Sequence, residues 1–387
     1  MTVLRAGCLG AVLLSAGALA DFGDPLPGLT EEEVTAFENG KDDFTEVETA
    51  AKGLGPVFNE ASCVACHAGP RSAVGGTNQR LETRFGRSMF DGRFDPLTAL
   101  GGSLLQDHSI GLDGKGHEYK AESIPRAANV VARRRTTPLF GLGLVDATPS
   151  STFLQLAFAQ AVSRPSIAGT PSIVTDPLTQ RSTLGKFGWK AQVPSLFVFA
   201  GDAYLNEMGI TNPIFPSENC PQGTCLDLDF NPLPTLNDDG EGVAKLADFM
   251  TFLAPPPRGP QSFVTEYGNR VASAIGCLDC HTQTLRTGRN AVQALNEVVY
   301  HPFSDFLLHD MGSLGDGITQ NRATGRLMRT QPLWGLRTQT QLLHDGRAHT
   351  IVHAILAHDG QGRAARVTFE RLSAFDRHAL LAFLNSL

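Results

Sequence analysis

Apolar residues recur at helical spacing in two stretches, Leu246-Ala-Asp-Phe-Met-Thr-Phe-Leu253 and Leu380-Leu-Ala-Phe-Leu-Asn-Ser-Leu387, and each predicts a helix with one buried face. Ser373-Ala-Phe-Asp376 supplies a capping start for the second. Upstream, Leu54-Gly-Pro-Val-Phe58 and Val271-Ala-Ser-Ala-Ile275 read as helix-like runs leading into a cysteine, and Thr152 to Gln160 and Thr350 to Gly360 as a further matching pair. Thr137-Pro-Leu-Phe-Gly-Leu142 is answered by Gln331-Pro-Leu-Trp-Gly-Leu336. Elements that recur in one order indicate an internal repeat. Between the copies, Ala254-Pro-Pro-Pro-Arg-Gly-Pro260 must end a helix and reads as a stiff linker. The first copy is longer by roughly 80 residues, mostly within 70–130 and 161–235, stretches rich in Gly, Pro, Asp and Ser that suit loops over a site. The expectation is a mainly α chain of two tandem domains, 21–255 with loop-rich insertions and 261–387.

Composition changes this picture little: 387 residues, 42% hydrophobic and 18% charged, suffice for two or three globular cores. The first twenty residues add a destination. Arg5, the apolar run Ala6 to Leu14 and the tripeptide Ala18-Leu19-Ala20 form a secretory signal cleaved after Ala20, which predicts a periplasmic protein. Losing Arg5 moves the net charge from −7 to about −8, which argues against nucleic acid as a partner. No later stretch is apolar for long enough to span a bilayer. In an oxidising compartment Cys220 and Cys225, in a short Pro/Gly loop, suit a small disulfide.

The other mature cysteines carry the chemistry. Cys63-Val-Ala-Cys66-His67 and Cys277-Leu-Asp-Cys280-His281 both read C-x-x-C-H, the attachment signature of c-type haem. One turn offers two thiols to the haem vinyl groups, and the adjacent His becomes the proximal iron ligand. Two covalently bound haems c are therefore expected, with His67 and His281 on the irons. In the second copy His358, at the end of its short helix, is the candidate second ligand, whereas His353 falls on another face. Aligning Thr152 with Thr350 sets Gln160 opposite His358. Glutamine ligates iron poorly, so the first haem reads as open to a substrate unless His108, His117 or Met208 reaches it. Gln106, Asp107 and Glu207, on the inserted loops, are the candidates for moving protons there. Trp334 is read as a haem neighbour, Trp189 as a carrier of electrons between the irons, and His344 and Arg347 as partners of haem propionates.

Taken with the Arg135-to-Leu144 segment, Phe187-Gly-Trp-Lys190, Met208-Gly-Ile-Thr211 and Leu343-His-Asp-Gly-Arg347, the chain resembles the di-haem oxidoreductase (putative peroxidase) family, which is similar to bacterial di-haem cytochrome c peroxidases and MauG-type enzymes. The resemblance implies two class I cytochrome c folds with haems facing a common interface, often with a calcium ion between them. It also implies peroxide chemistry at the N-terminal haem, with the C-terminal haem relaying electrons from a periplasmic donor or an oxidisable partner. Two departures stand out: His358 replaces the usual Met, which lowers the relay potential, and Glu82-Thr-Arg84 stands where the peroxidases have a distal His. A di-haem electron carrier and a MauG-like or oxygenase-like oxidation of a partner molecule are the competing readings.

Overall fold

The computed structural model describes residues 21–70, 72–113, 116–224 and 236–387. The segment expected to be a signal, 1–20, and Cys225 lie outside the described residues; Cys220 is disulfide-bonded. The helices, in chain order, are α1 (Glu31–Thr45), α2 (Leu142–Asp146), α3 (Ser150–Ser163), α4 (Leu196–Met208), α5 (Glu241–Phe252), α6 (Phe263–Ala274), α7 (Ile351–Leu356), α8 (Arg363–Glu370) and α9 (Ala374–Leu384). Their starts are written locally. Thr30 and Glu33 form a capping box on α1, Ser262 and Thr265 one on α6, and Ser195, Thr350 and Ser373 accept from the first turns of α4, α7 and α9. Within the described residues, no helix is long and apolar enough to cross a membrane.

Two helix pairs organise the chain. α1 packs on α5 through Phe37 and Phe44, whose rings lie 5.3 and 4.8 Å from that of Phe249. α6 packs on α9. Both crossings turn on a glycine: a Cβ on Gly40 would sit 2.2 Å from the Lys245 carbonyl, and one on Gly268 1.9 Å from that of Ala379. The larger core gathers α1, α2, α4 and α5 but also takes in Leu285, Tyr300, Phe306 and Trp334, while a smaller core joins α6, α9 and Phe369 of α8.

The inserted stretches carry more regular structure than their composition suggests. Strand β2 (Leu81–Ser88) lies between β3 (Phe94–Asp95) and β5 (Val130–Arg135) in an antiparallel sheet that sets Glu82 opposite Arg134 and Arg84 opposite Ala132. The apolar run expected to form a helix ahead of Cys63 instead forms a strand, β1 (Val57–Phe58), paired with β4 (His108–Ser109). Pro56 cannot continue a helix, and Gly55 is pressed so closely on Gly209 that a Cβ would lie 2.0 Å from its carbonyl. The helix of this copy is α1, further upstream.

Candidate functional site

Each C-x-x-C-H motif folds as one tight turn. His67 N–H donates to the Cys63 carbonyl at 2.8 Å and His281 N–H to that of Cys277 at 3.0 Å, so two thiols and an imidazole share one side of each turn. Burial pushes the Cys63, Cys66 and Cys277 thiols up to about 12, which keeps them neutral rather than thiolate metal ligands. Burial likewise pushes His67 and His281 down to about 4 and lowers His358, so all three are neutral imidazoles, the form that binds iron.

A cavity of about 500 Å³ opens beside the second motif, lined by Cys277, Cys280, His281 and His358. His281 Nδ1 donates to the Phe303 carbonyl at 2.9 Å and His358 Nδ1 to that of Ala354 at 2.8 Å. A carbonyl only accepts, so both rings keep Nε2 as a free lone pair. Trp334 and His344 line the same cavity; Arg347 is half exposed, pairs with Asp345 and does not. The structure supplies other cations in its place. Arg135 and Arg329 are buried in the cavity wall, and Arg135 Nε, Arg329 Nη1, Gln331 Nε2 and Trp334 Nε1 have no hydrogen-bond partner. Burial pushes the guanidinium of Arg135 down to about 10 and that of Arg329 to about 9. Unpaired buried donors around two thiols and two imidazoles fit a porphyrin with carboxylate arms.

The first motif lines a smaller cavity, about 160 Å³, with Cys63, Cys66 and His67 on its wall. His67 is its sole histidine, and Nδ1 is buried without a partner. Glu207 lines this cavity, together with Glu82, Arg84, Asp202 and Met208. Gln106 and Asp107 do not: Gln106 is buried and donates to the Asn206 carbonyl, and Asp107 pairs with Arg80 and His108. His108 stacks on Phe58 and His117 pairs with Asp113, both away from the cavity lining.

Gln160 is a correction. It sits against the second motif, not the first: its amide donates to the Asp279 carbonyl at 2.9 Å and to Asp305 at 2.8 Å. The repeat alignment failed because α3 runs across to the other half, with Arg164, just past its end, paired to Asp279. Asp305 in turn holds His309 at 2.9 Å, and His309 Nδ1 lies 3.6 Å from Cys280 Sγ and 3.2 Å from Gln361 Oε1. Burial opposes charge on His309, but Asp305 and Cys280 push it up to about 10. Among the described residues Cys280, Asp305 and His309 are the one cluster of His, Cys, Asp or Glu whose side-chain atoms could gather a metal. The two halves also meet on Lys190, fully buried, whose ammonium donates to Asp316 at 2.8 Å and to the carbonyls of Thr324 and Leu327 at 3.0 and 2.7 Å.

Trp189 and Arg135 line both cavities, and the Trp189 indole N–H donates to the Arg135 carbonyl at 2.8 Å. Sequence reading missed Arg135, Arg329, His309 and Asp305 as site residues, since one buried Arg or Asp in a chain carries no local pattern. Glu82 and Arg84 were visible only as a place where a distal His was absent.

Two thiol-imidazole turns, each opening on its own cavity and sharing a tryptophan wall, define a protein built around two haems. Residues 115–387 match the family described as di-haem oxidoreductase, putative peroxidase, and the chain belongs to that family and is an oxidoreductase. The matched span contains the second motif and the shared wall, and begins after the first motif. Among solved structures it is similar to the hydrazine synthase of Kuenenia stuttgartiensis, at 13% identity and TM-score 0.41 over 99% of this chain and 100% of that one. It is similar to the same degree, 13% and 0.41, to a MauG-like protein associated with microbial copper homeostasis, over 96% and 95%. No curated protein matches the sequence.

Proposed function

We propose that the chain is a periplasmic di-haem c-type oxidoreductase of two tandem cytochrome c-like units, reacting with peroxide or another small oxidant at the first site and relaying electrons through the second. The observation that carries this reading is the asymmetry of the cavities: two imidazoles with free Nε2 line the second, and His67 alone lines the first. Haem iron supplies one-electron transfer where both axial positions are filled, and oxidant binding where one stays open. Cys63, Cys66, Cys277 and Cys280 would hold the two haems by adding their S–H groups across the vinyls. The unpaired donors of Arg135, Arg329 and Trp334 would serve the haem carboxylates. Trp189, shared by both walls, gives electrons a short route between the sites. Glu207 is the group in the first cavity placed to move a proton.

Met208 on the first cavity wall favours one rival, an electron carrier with both irons fully ligated. Electron paramagnetic resonance of the oxidised holoprotein separates the two. One high-spin and one low-spin ferric signal, with only the low-spin one lost in His358→Ala, is the expected result. Two low-spin signals, one of them removed by Met208→Ala, establish the carrier.

A further inference from the structure

Seven charged side chains line the first cavity: Glu82 and Arg84 from β2, Asp202 and Glu207 from α4, Glu60 and Arg80 beside the first motif, and Arg135 of the shared wall. Arg84 grips Glu82 with two donors, at 2.9 and 3.4 Å, and Arg134 adds a second cation 3.9 Å away across the strand pair. Glu207 is met by a neutral group, the Asn59 amide at 2.8 Å, and its carboxyl lies within hydrogen-bonding reach of that of Glu82. Two carboxyl groups can bond to each other only when one carries a proton, and the cations decide which. Glu82, gripped by two arginines, is the ionised member.

We propose that Glu82 and Glu207 form a one-proton carboxyl pair in the first cavity, in which Glu207 is the proton donor to an oxygen substrate and Glu82 is the positioning residue that keeps the proton on it. This rests on the reading of the first cavity as the reactive site. Burial and the Glu82 charge push Glu207 up to about 8. Burial opposes ionisation of Glu82, but Arg84 and Arg134 outweigh it and hold that carboxyl below its usual range. Environments that drive two carboxyls apart in this way mark an acid and its partner. The other groups around the pair are Asp202, pushed up to about 6 by burial, and Glu60, Arg80 and Cys66 on the side of the motif. Reduction of a hydroperoxide breaks the O–O bond and takes two electrons, which the haem pair would supply, and two protons. Glu207 gives the first proton to the oxygen that leaves as water or an alcohol. The carboxylate then regains a proton from solvent and gives it to the remaining oxygen, which leaves as water.

Infrared difference spectra of the holoprotein in H2O and D2O read the proton without turnover, through the C=O stretch of a carboxylic acid. The wild-type-minus-Glu207→Gln difference is expected to show such a band near neutral pH, lost with a midpoint near pH 8. In Glu82→Gln the midpoint falls by about one unit or more, and Glu82→Asp brings it back toward the wild-type value. Peroxide turnover falls about 10²- to 10⁴-fold in Glu207→Gln, and its alkaline limb follows the infrared midpoint in Glu82→Gln. Absence of the band near neutral pH, or an unchanged midpoint in Glu82→Gln, overturns the pair. If the band behaves as stated while wild type ignores peroxide, the pair stands and the peroxide reading falls.

Discussion

Arg135 and Arg329 differ in one respect that can be measured. Both are buried cations with an unpaired donor on the wall of the second cavity, but only Arg135 also lines the first. Removing a positive charge beside a haem favours its oxidised form. Arg135→Met is therefore expected to lower both reduction potentials, and Arg329→Met only that of the haem in the second cavity, each by an amount on the order of tens of millivolts in a spectroelectrochemical titration. Equal shifts of both haems in Arg329→Met would contradict the assignment of that arginine to one cavity. Arg347, expected beside the propionates, faces Asp345 instead, because the Asp two residues before it offers the nearer carboxylate. Local sequence offered both partners and could not choose. Glu207 was recognisable as an acid but was expected on a loop, whereas it lies on α4, and its partner Glu82 comes from a strand more than a hundred residues away.

At the level of elements, the helix pairs α1–α5 and α6–α9 depend on Gly40 and Gly268 for their close approach. Interiors at this packing density have no spare volume. Gly40→Ala and Gly268→Ala are each expected to cost about 1–3 kcal/mol, read as a lower denaturation midpoint of the holoprotein. An unchanged midpoint would mean that the helices separate without loss. Helical spacing made α5 and α9 legible, and Ser373 marked the start of α9 as expected. The stretch ahead of Cys63 was misread because its apolar residues fit a strand as well as a helix, and Gly55-Pro56 decided for the strand. α4 went unread for the opposite reason. It is apolar on much of its surface, with Leu196, Val198, Ala200, Tyr204 and Met208 all buried, and a helix buried on several sides has no polar face to reveal its period.

Across the whole molecule, Lys190 and Arg134 join the first half to Asp316 of the second, and Arg134 meets that carboxylate at 2.6 Å. The residue before Lys190 is Trp189, whose backbone carbonyl accepts from Arg329 N–H at 2.9 Å. The same strip of chain thus holds the halves together and carries the ring shared by the two cavities. Lys190→Met leaves two carbonyls without the ammonium and Arg134 as the one remaining cation on Asp316, and is expected to cost about 3–5 kcal/mol. It should also slow electron transfer between the haems in flash-reduction experiments, whereas calcium chelation should leave wild type unchanged. A chelator that reproduced the Lys190→Met effect would show that a metal ion, rather than the lysine, sets the spacing.

The sequence by itself determined the two C-x-x-C-H turns, the histidine that closes each, His358 in the second cavity and the place of the closing helices. Each depends on residues within one turn or one amphipathic period, where covalent spacing dictates geometry. Only the tertiary structure decided that Gln160 serves the second motif, that Glu207 meets Glu82, that Arg135 and Trp189 line both cavities, and that Lys190 joins the halves through Asp316 and two carbonyls. Those contacts join distant segments, and burial, which sets their charge states, exists only once the chain has packed.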